Sequence, residues 1–112
     1  MDSTDKKALQ REILLGFWKV HILHHAAQGP VVGQWMIREL RSHGYEVSPG
    51  TMYPLLARLE QLGWLKQRTE SVLGQGTRKK YELTGKGREA LAFLQDQVTE
   101  LYREVVLGEE ES

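Results

Sequence analysis

Apolar residues follow a helical rhythm at both ends of the chain and an alternating one between them. From Ala8 to Gln28, Leu9, Ile13, Gly16, Phe17, Val20 and His24 mark one face, and Leu14, Leu15, Trp18 and Ile22 mark another. A helix apolar on two faces is buried on two sides. The pattern therefore predicts a first helix over 8–28, with one side on the domain's own core and the other on a later helix or a second subunit. Met1 to Lys7 are polar and expected to be loose at their start. Gly29-Pro30 ends the helix. A second helix is predicted from about Gly33 to His43, with Trp35, Met36, Ile37 and Leu40 inward, and Gly44 to Val47 form a short connection.

The stretch from Ser48 to Leu65, SPGTMYPLLARLEQLGWL, reads as a helix, a stop and the start of a strand. Ser48 suits the cap through its hydroxyl, and Pro49 the first helical position, where no N–H is needed. Leu55, Leu56, Leu59 and Leu62 recur at helical spacing and need burial. Gly63 stands where a left-handed residue closes a helix. Pro54 removes the backbone bond to the Gly50 carbonyl, so a slight bend or an irregular first turn is expected. Thr51, Tyr53, Ala57, Arg58 and Gln61 remain on the outer face, a set that suits the major groove of DNA.

Trp64 to Glu70 and Arg78 to Leu83 alternate as two strands of a hairpin, and Ser71 to Thr77 supply its glycine-containing tip. Thr84 is placed to cap a final helix running to about Leu107 and ending at Gly108. Its apolar residues Leu91, Leu94, Val98, Leu101 and Val105 step by three and four, the spacing of a helix that packs along another helix. Phe93 and Tyr102 widen the stripe. At 1.5 Å per residue such a helix is about 34 Å long, more than the small body ahead of it can cover. The excess predicts pairing with a second subunit, the alternative being a fold back onto the chain's own first helix.

Two helices joined by a glycine-containing turn, the second offered to solvent, make a helix-turn-helix. The fold class that follows is α+β, mostly α: a winged helix-turn-helix of three helices and a two-stranded wing, plus a long C-terminal dimerisation helix. Residues 1–83 would form the DNA-binding unit with its N-terminal helix, 84–108 the dimerisation helix, and 109–112 a disordered acidic tail.

With 112 residues, 40% hydrophobic and 27% charged, the chain fits one ordinary globular domain. It has no cysteine, which removes disulfides, thiolate metal sites and thiol chemistry. Its start is charged and then amphipathic, unlike a secretory signal, and no apolar run approaches the ~20 residues that span a bilayer. A cytoplasmic location is expected. The formal net charge of +0 argues weakly against nucleic acid, but the charge is polarised. Lys66, Arg68, Arg78, Lys79, Lys80, Lys86 and Arg88 face only Glu70 and Glu82 within 66–88, whereas 89–112 is acidic apart from Arg103. A basic segment beside an acidic one fits a DNA-facing side and a side turned away.

Little in the sequence carries covalent chemistry. His21 and His25, four apart, share a helix face as zinc ligands often do, with His24 beside them. No acid in the same turn completes a site, and a solvated or interface cluster, pH-sensitive through these residues, is the plainer reading. No serine stands in a G-x-S-x-G turn, and Gly74-Gln75-Gly76 lacks the strand-to-helix context of a phosphate loop. The chain reads as no enzyme, with no cofactor and no metal.

Ser48-Pro49-Gly50-Thr51, Tyr53-Pro54, Leu56, Arg58-Leu59-Glu60 and Gly63 resemble the recognition-helix signature of the PadR family of transcriptional regulators. Arg78-Lys79-Lys80-Tyr81, Leu83-Thr84 and Lys86-Gly87 resemble that family's wing strand and its exit into the last helix. The resemblance runs from about Leu9 to the end of the last helix. It implies a transcriptional repressor that dimerises through its first and last helices, here through Leu14, Trp18, Leu91, Leu94, Val98, Leu101 and Val105. Short members of the family include some that bind flat aromatic compounds at that interface, which would place Trp18 and Phe93 at an effector site.

The reading is a homodimer on a two-fold symmetric operator in double-stranded DNA, with no membrane partner. Thr51, Tyr53 and Arg58 would contact bases or phosphates. Ser48 and Gly50, at the helix start, would hold a phosphate, and Arg78, Lys79 and Lys80 would clamp the backbone from the wing. The rival is a winged-helix module that binds protein and no DNA. A weaker alternative is a small-molecule carrier built on the dimer cavity.

Overall fold

The computed structural model describes residues 1–74 and 76–109. The expected acidic tail lies outside them beyond Glu109. Helix α1 (Ser3–Leu9) starts earlier than the apolar pattern predicts, because Asp2 caps it: its Oδ1 accepts the Asp5 N–H at 2.9 Å. Such a cap satisfies a donor that a helix start otherwise leaves open. The stretch expected to be loose is thus helical from Ser3. A π turn at Gln10–Leu14 joins α1 to α2 (Leu15–Gln28) with right-handed helical backbone at both junctions, so one rod runs over 3–28.

Helix α3 (Gly33–Ser42) ends before Gly44, whose φ of +89° turns the chain. Arg41 then ties the connection down by donating from Nε to the Val47 carbonyl at 3.0 Å. Helix α4 (Pro49–Gln61) begins from an extended Ser48, whose carbonyl accepts the N–H groups of Thr51 and Met52 at 3.0 and 2.9 Å. The Ser48 hydroxyl does not cap the helix; it lies 3.4 Å from the Thr51 hydroxyl. Pro49 brings no N–H to satisfy, so this helix start asks less of its cap. The helix runs unbroken across Pro54. It closes at Gly63, φ +84°, with Trp64 N–H reaching back to the Leu59 carbonyl at 3.0 Å, the left-handed stop its sequence predicts.

Strands β1 (Leu65–Val72) and β2 (Gly76–Leu83) pair antiparallel from Leu65↔Leu83 to Val72↔Gly76. The ladder reaches into the expected tip: Ser71 pairs with Thr77, and Gly74 and Gly76, both at positive φ, confine the turn. Val31 adds a short third rung that the sequence does not announce, exchanging two backbone hydrogen bonds with Tyr81 at 3.0 and 2.8 Å. Thr84 caps α5 (Gly85–Val105) by accepting the Gly87 N–H at 2.9 Å. A Cβ on Gly87 would run into the Trp64 carbonyl, so only glycine allows helix and strand this close.

One core holds these pieces: Trp18, Ile22, Leu23 and Ala26 from α2, Met36, Ile37 and Leu40 from α3, Met52, Leu55, Leu56 and Leu59 from α4, with Val31, Leu65, Tyr81 and Leu91 closing it. Five residues take other places than expected here. Trp18 has 0% of its surface exposed and lies edge-on to Tyr45 at 5.5 Å, so it has no area to give a second subunit or an effector. Leu91 is likewise buried in the core, and Leu14 and Leu94 pack against it. These interface candidates therefore serve mainly their own chain. Trp35, expected inward, is partly exposed and lies edge-on to His25.

Candidate nucleic-acid interface

Helix α4 is divided between two roles. Met52, Leu55, Leu56 and Leu59 are buried, while Tyr53, Ala57 and Arg58 are exposed and Thr51 half-buried. Ser48 and Gly50 stand exposed at the N-terminal end. Tyr53 is 39% exposed. Its ring lies over the start of α3: a Cβ built on Gly33 would stand 2.5 Å from Tyr53 Cε1. Its hydroxyl accepts a hydrogen bond from Gln34 Nε2 at 3.3 Å. The two helix starts are thus brought together, and Gln34, which the sequence reading missed, joins the exposed polar set. The signal was a polar residue directly after the glycine that opens α3.

The wing is less basic in effect than its composition suggests. Glu70 takes both Lys80 (2.7 Å) and Arg78 (3.6 Å), and Glu82 takes Arg68 (2.6 Å). The hydrogen bond from Lys80 holds the Glu70 carboxyl below its ordinary range. The ladder puts Arg78, Lys80 and Glu82 on one face, and Lys79 on the other with Tyr81. Hence Arg78, Lys79 and Lys80 do not form one clamp. Arg78 and Lys80 share a surface, and Lys79 points away from it.

A groove of about 750 Å³ lies elsewhere, between α2 and α5. Phe17, Val20, His21 and His24 form one wall, and Leu91, Val98, Leu101, Tyr102, Val105 and Val106, with Gln95 and Thr99, form the other. Phe17, Val98, Leu101, Tyr102 and Val105 are large apolar side chains left open to solvent. Neither Trp18 nor Phe93 lines this groove. Within one chain Phe93 is 65% exposed and Trp18 is buried in the core, so the two do not share this groove. Among the described residues no group of His, Asp or Glu is arranged to hold a metal ion, and no helix is long and apolar enough to cross a membrane.

Three helices, a turn between the second and third, and a hairpin beside the third define the class: a winged helix-turn-helix protein. The transcriptional regulator PadR-like family matches residues 22–93, and the chain belongs to that family. It is 46% identical over 99 residues to transcriptional regulator Rv3488 of Mycobacterium tuberculosis, covering 88% of this chain and 92% of that protein. Two solved structures are similar throughout. The PadR family transcriptional regulator of Eggerthella lenta superposes with a TM-score of 0.77 at 27% identity, covering 96% of each chain. The PadR-like regulator of Bacillus cereus gives 0.76 at 28% identity, covering 89% of this chain and 99% of that one. The family is one of transcriptional regulators and not of enzymes.

Proposed function

We propose that this regulator represses transcription as a homodimer seated on a two-fold symmetric operator. The observation that carries the DNA reading is the division of α4, whose leucines are all turned into the core while Tyr53, Arg58 and the helix start stand clear beside the wing. In a dimer the two α4 helices enter successive major grooves about 34–36 Å apart. Thr51, Tyr53 and Arg58 contact bases or phosphates. Ser48 and Gly50 present the helix start to a phosphate, and Arg78 and Lys80 meet the backbone from one wing face, with Lys79 on the other. The work is done in the cytoplasm, where the operator is.

The two-copy part of the reading is supported by the groove between α2 and α5. Its walls are mostly apolar side chains, which marks an interaction surface, and the three-four stripe of α5 continues along it through Val98, Leu101 and Val105. The seam then consists of Phe17 and Val20 with Val98, Leu101 and Val105. A small aromatic effector that releases the repressor would act at this seam, against Phe17 and Tyr102.

Sequencing the DNA that co-purifies with the protein tests the operator. A two-fold symmetric site is expected, and recovery of random fragments only would refute sequence-specific reading. The cross-strand ion pairs of the wing favour one rival, a winged-helix module that binds protein alone. Anisotropy with duplex DNA separates the two. Binding that weakens steeply with salt supports the regulator on DNA, and no binding at low salt supports the rival.

A further inference from the structure

All four histidines of the chain meet at one place, although two elements supply them. His21, His24 and His25 stand on α2, and His43 follows the last turn of α3. The His21 ring stacks on His43 at 5.3 Å and on His25 at 6.4 Å, and His24 meets His25 at 4.8 Å. The other groups around them are Tyr45, 5.9 Å from His21, Trp35, 5.1 Å from His25, and the Gln28 side chain beside His25. From α5, across the groove, Gln95, Thr99 and Tyr102 face His21 and His24, and none of these three is a carboxylate or a basic side chain. Glu39 is the carboxylate paired with the cluster: its Oε1 lies 3.2 Å from His43 Nε2 and 3.6 Å from His25 Nε2.

Four imidazoles this close together cannot all be charged cheaply. Burial, and then repulsion from His43, His25 and His24, hold His21 below the ordinary histidine range. Burial and then His24 do the same to His25, and Glu39 only partly opposes this in both.

We infer that the cluster is a proton-operated latch on the seam between two copies: neutral imidazoles let the seam close, and protonated ones hold it open. This rests on the two-copy reading above. His21 and His24 line the groove that the second copy covers. Covering it removes water and makes an imidazolium there costlier still. The histidines thus bind protons more readily in separated copies than in the pair. By linkage, acidification through the histidine range favours separation, and return to neutral pH restores the pair.

Sedimentation equilibrium of the full chain between pH 7.5 and 5.5, at constant salt, tests the latch. Since one pKa unit on one group is a factor of ten in the linked equilibrium, and each subunit brings a cluster, the dissociation constant should rise about ten- to hundred-fold. In His21→Gln with His24→Gln, where nothing titrates at the groove, the rise should shrink to less than about threefold. A dissociation constant that does not move with pH, in a protein that is a dimer throughout, overturns the latch and leaves the dimer standing. A monomer at every pH sinks the two-copy reading itself. Circular dichroism on the same samples guards the conclusion: helix lost in step with dissociation would mean that protons unfold the chain, and this too overturns the latch.

Discussion

The hydroxyl of Thr84 donates to the carbonyl of Gly63 across 2.6 Å, so one side chain joins the stop after α4 to the start of α5. The same oxygen accepts the Gly87 N–H, and the Thr84 N–H donates to the Trp64 carbonyl at 3.1 Å. Thr84→Ala removes the cap and leaves the Gly63 carbonyl without its partner. The expected cost is about 1–2 kcal/mol in urea unfolding, with most of it recovered in Thr84→Ser. An unchanged midpoint in Thr84→Ala would show that water replaces the hydroxyl at no cost.

Tyr53 and Gly33 make a second coupled pair. In Gly33→Ala the new methyl meets the Tyr53 ring, so the ring must move off the start of α3 and away from Gln34. A loss of roughly 1–3 kcal/mol is expected for such overpacking, together with weaker operator binding. Adding Tyr53→Ala should restore most of the stability and none of the binding. Strictly additive costs in the double-mutant cycle would mean the two residues do not interact.

The wing's ion pairs set how much charge reaches DNA. Glu70→Gln releases Arg78 and Lys80 from their carboxylate. Affinity should rise for every duplex, and the salt dependence should steepen. Arg78→Ala with Lys80→Ala should do the opposite, weakening binding uniformly and flattening the slope by about one to two. Identical slopes in all three proteins would take the wing off the DNA. Exposed pairs of this kind contribute little to the fold, so the three variants should unfold at similar urea concentrations.

At the seam, the structure separates residues that the sequence pattern groups together. Leu101 and Val105 are open to solvent in the single chain, whereas Leu91 and Trp18 are buried. Leu101→Asp with Val105→Asp should therefore give a folded monomer, visible as full helical content with halved mass in light scattering. Leu91→Asp should unfold the chain, because it buries a carboxylate without a partner. A dimer that survives the first pair of changes would show that α5 is not the contact.

Much of this was legible along the chain because the signals are local. The three-four stripe of α5, the leucines of α4, Gly63 as a stop, Thr84 as a cap and the alternation of β2 each depend on residues a few places apart, and so does the resemblance that identified the family. The start of α1 was equally local, in Asp2 and Asp5, but it is a capping signal and not an apolar one. A reading by hydrophobic rhythm alone passes over it.

Tertiary structure decided the rest, wherever two segments distant in sequence compete for the same residue. The first helix offered two apolar faces, and nothing in its own sequence selects between them. The core takes the face with Trp18 and Ile22, which pack in one cluster with Met36 and Leu56 and against Tyr45, and Phe17 and Val20 are left to line the groove. His21 and His25 lacked an acid in their own turn; Glu39 and His43 reach them only once α3 packs against α2. Glu70 could not be seen to neutralise Arg78 and Lys80 until the register of the hairpin was fixed, nor Val31 to anchor Tyr81 across the wing. Periodicity is written by neighbours and survives in the sequence by itself, whereas the choice of which face is buried and which charge is paired belongs to contacts that exist only after the chain has closed on itself.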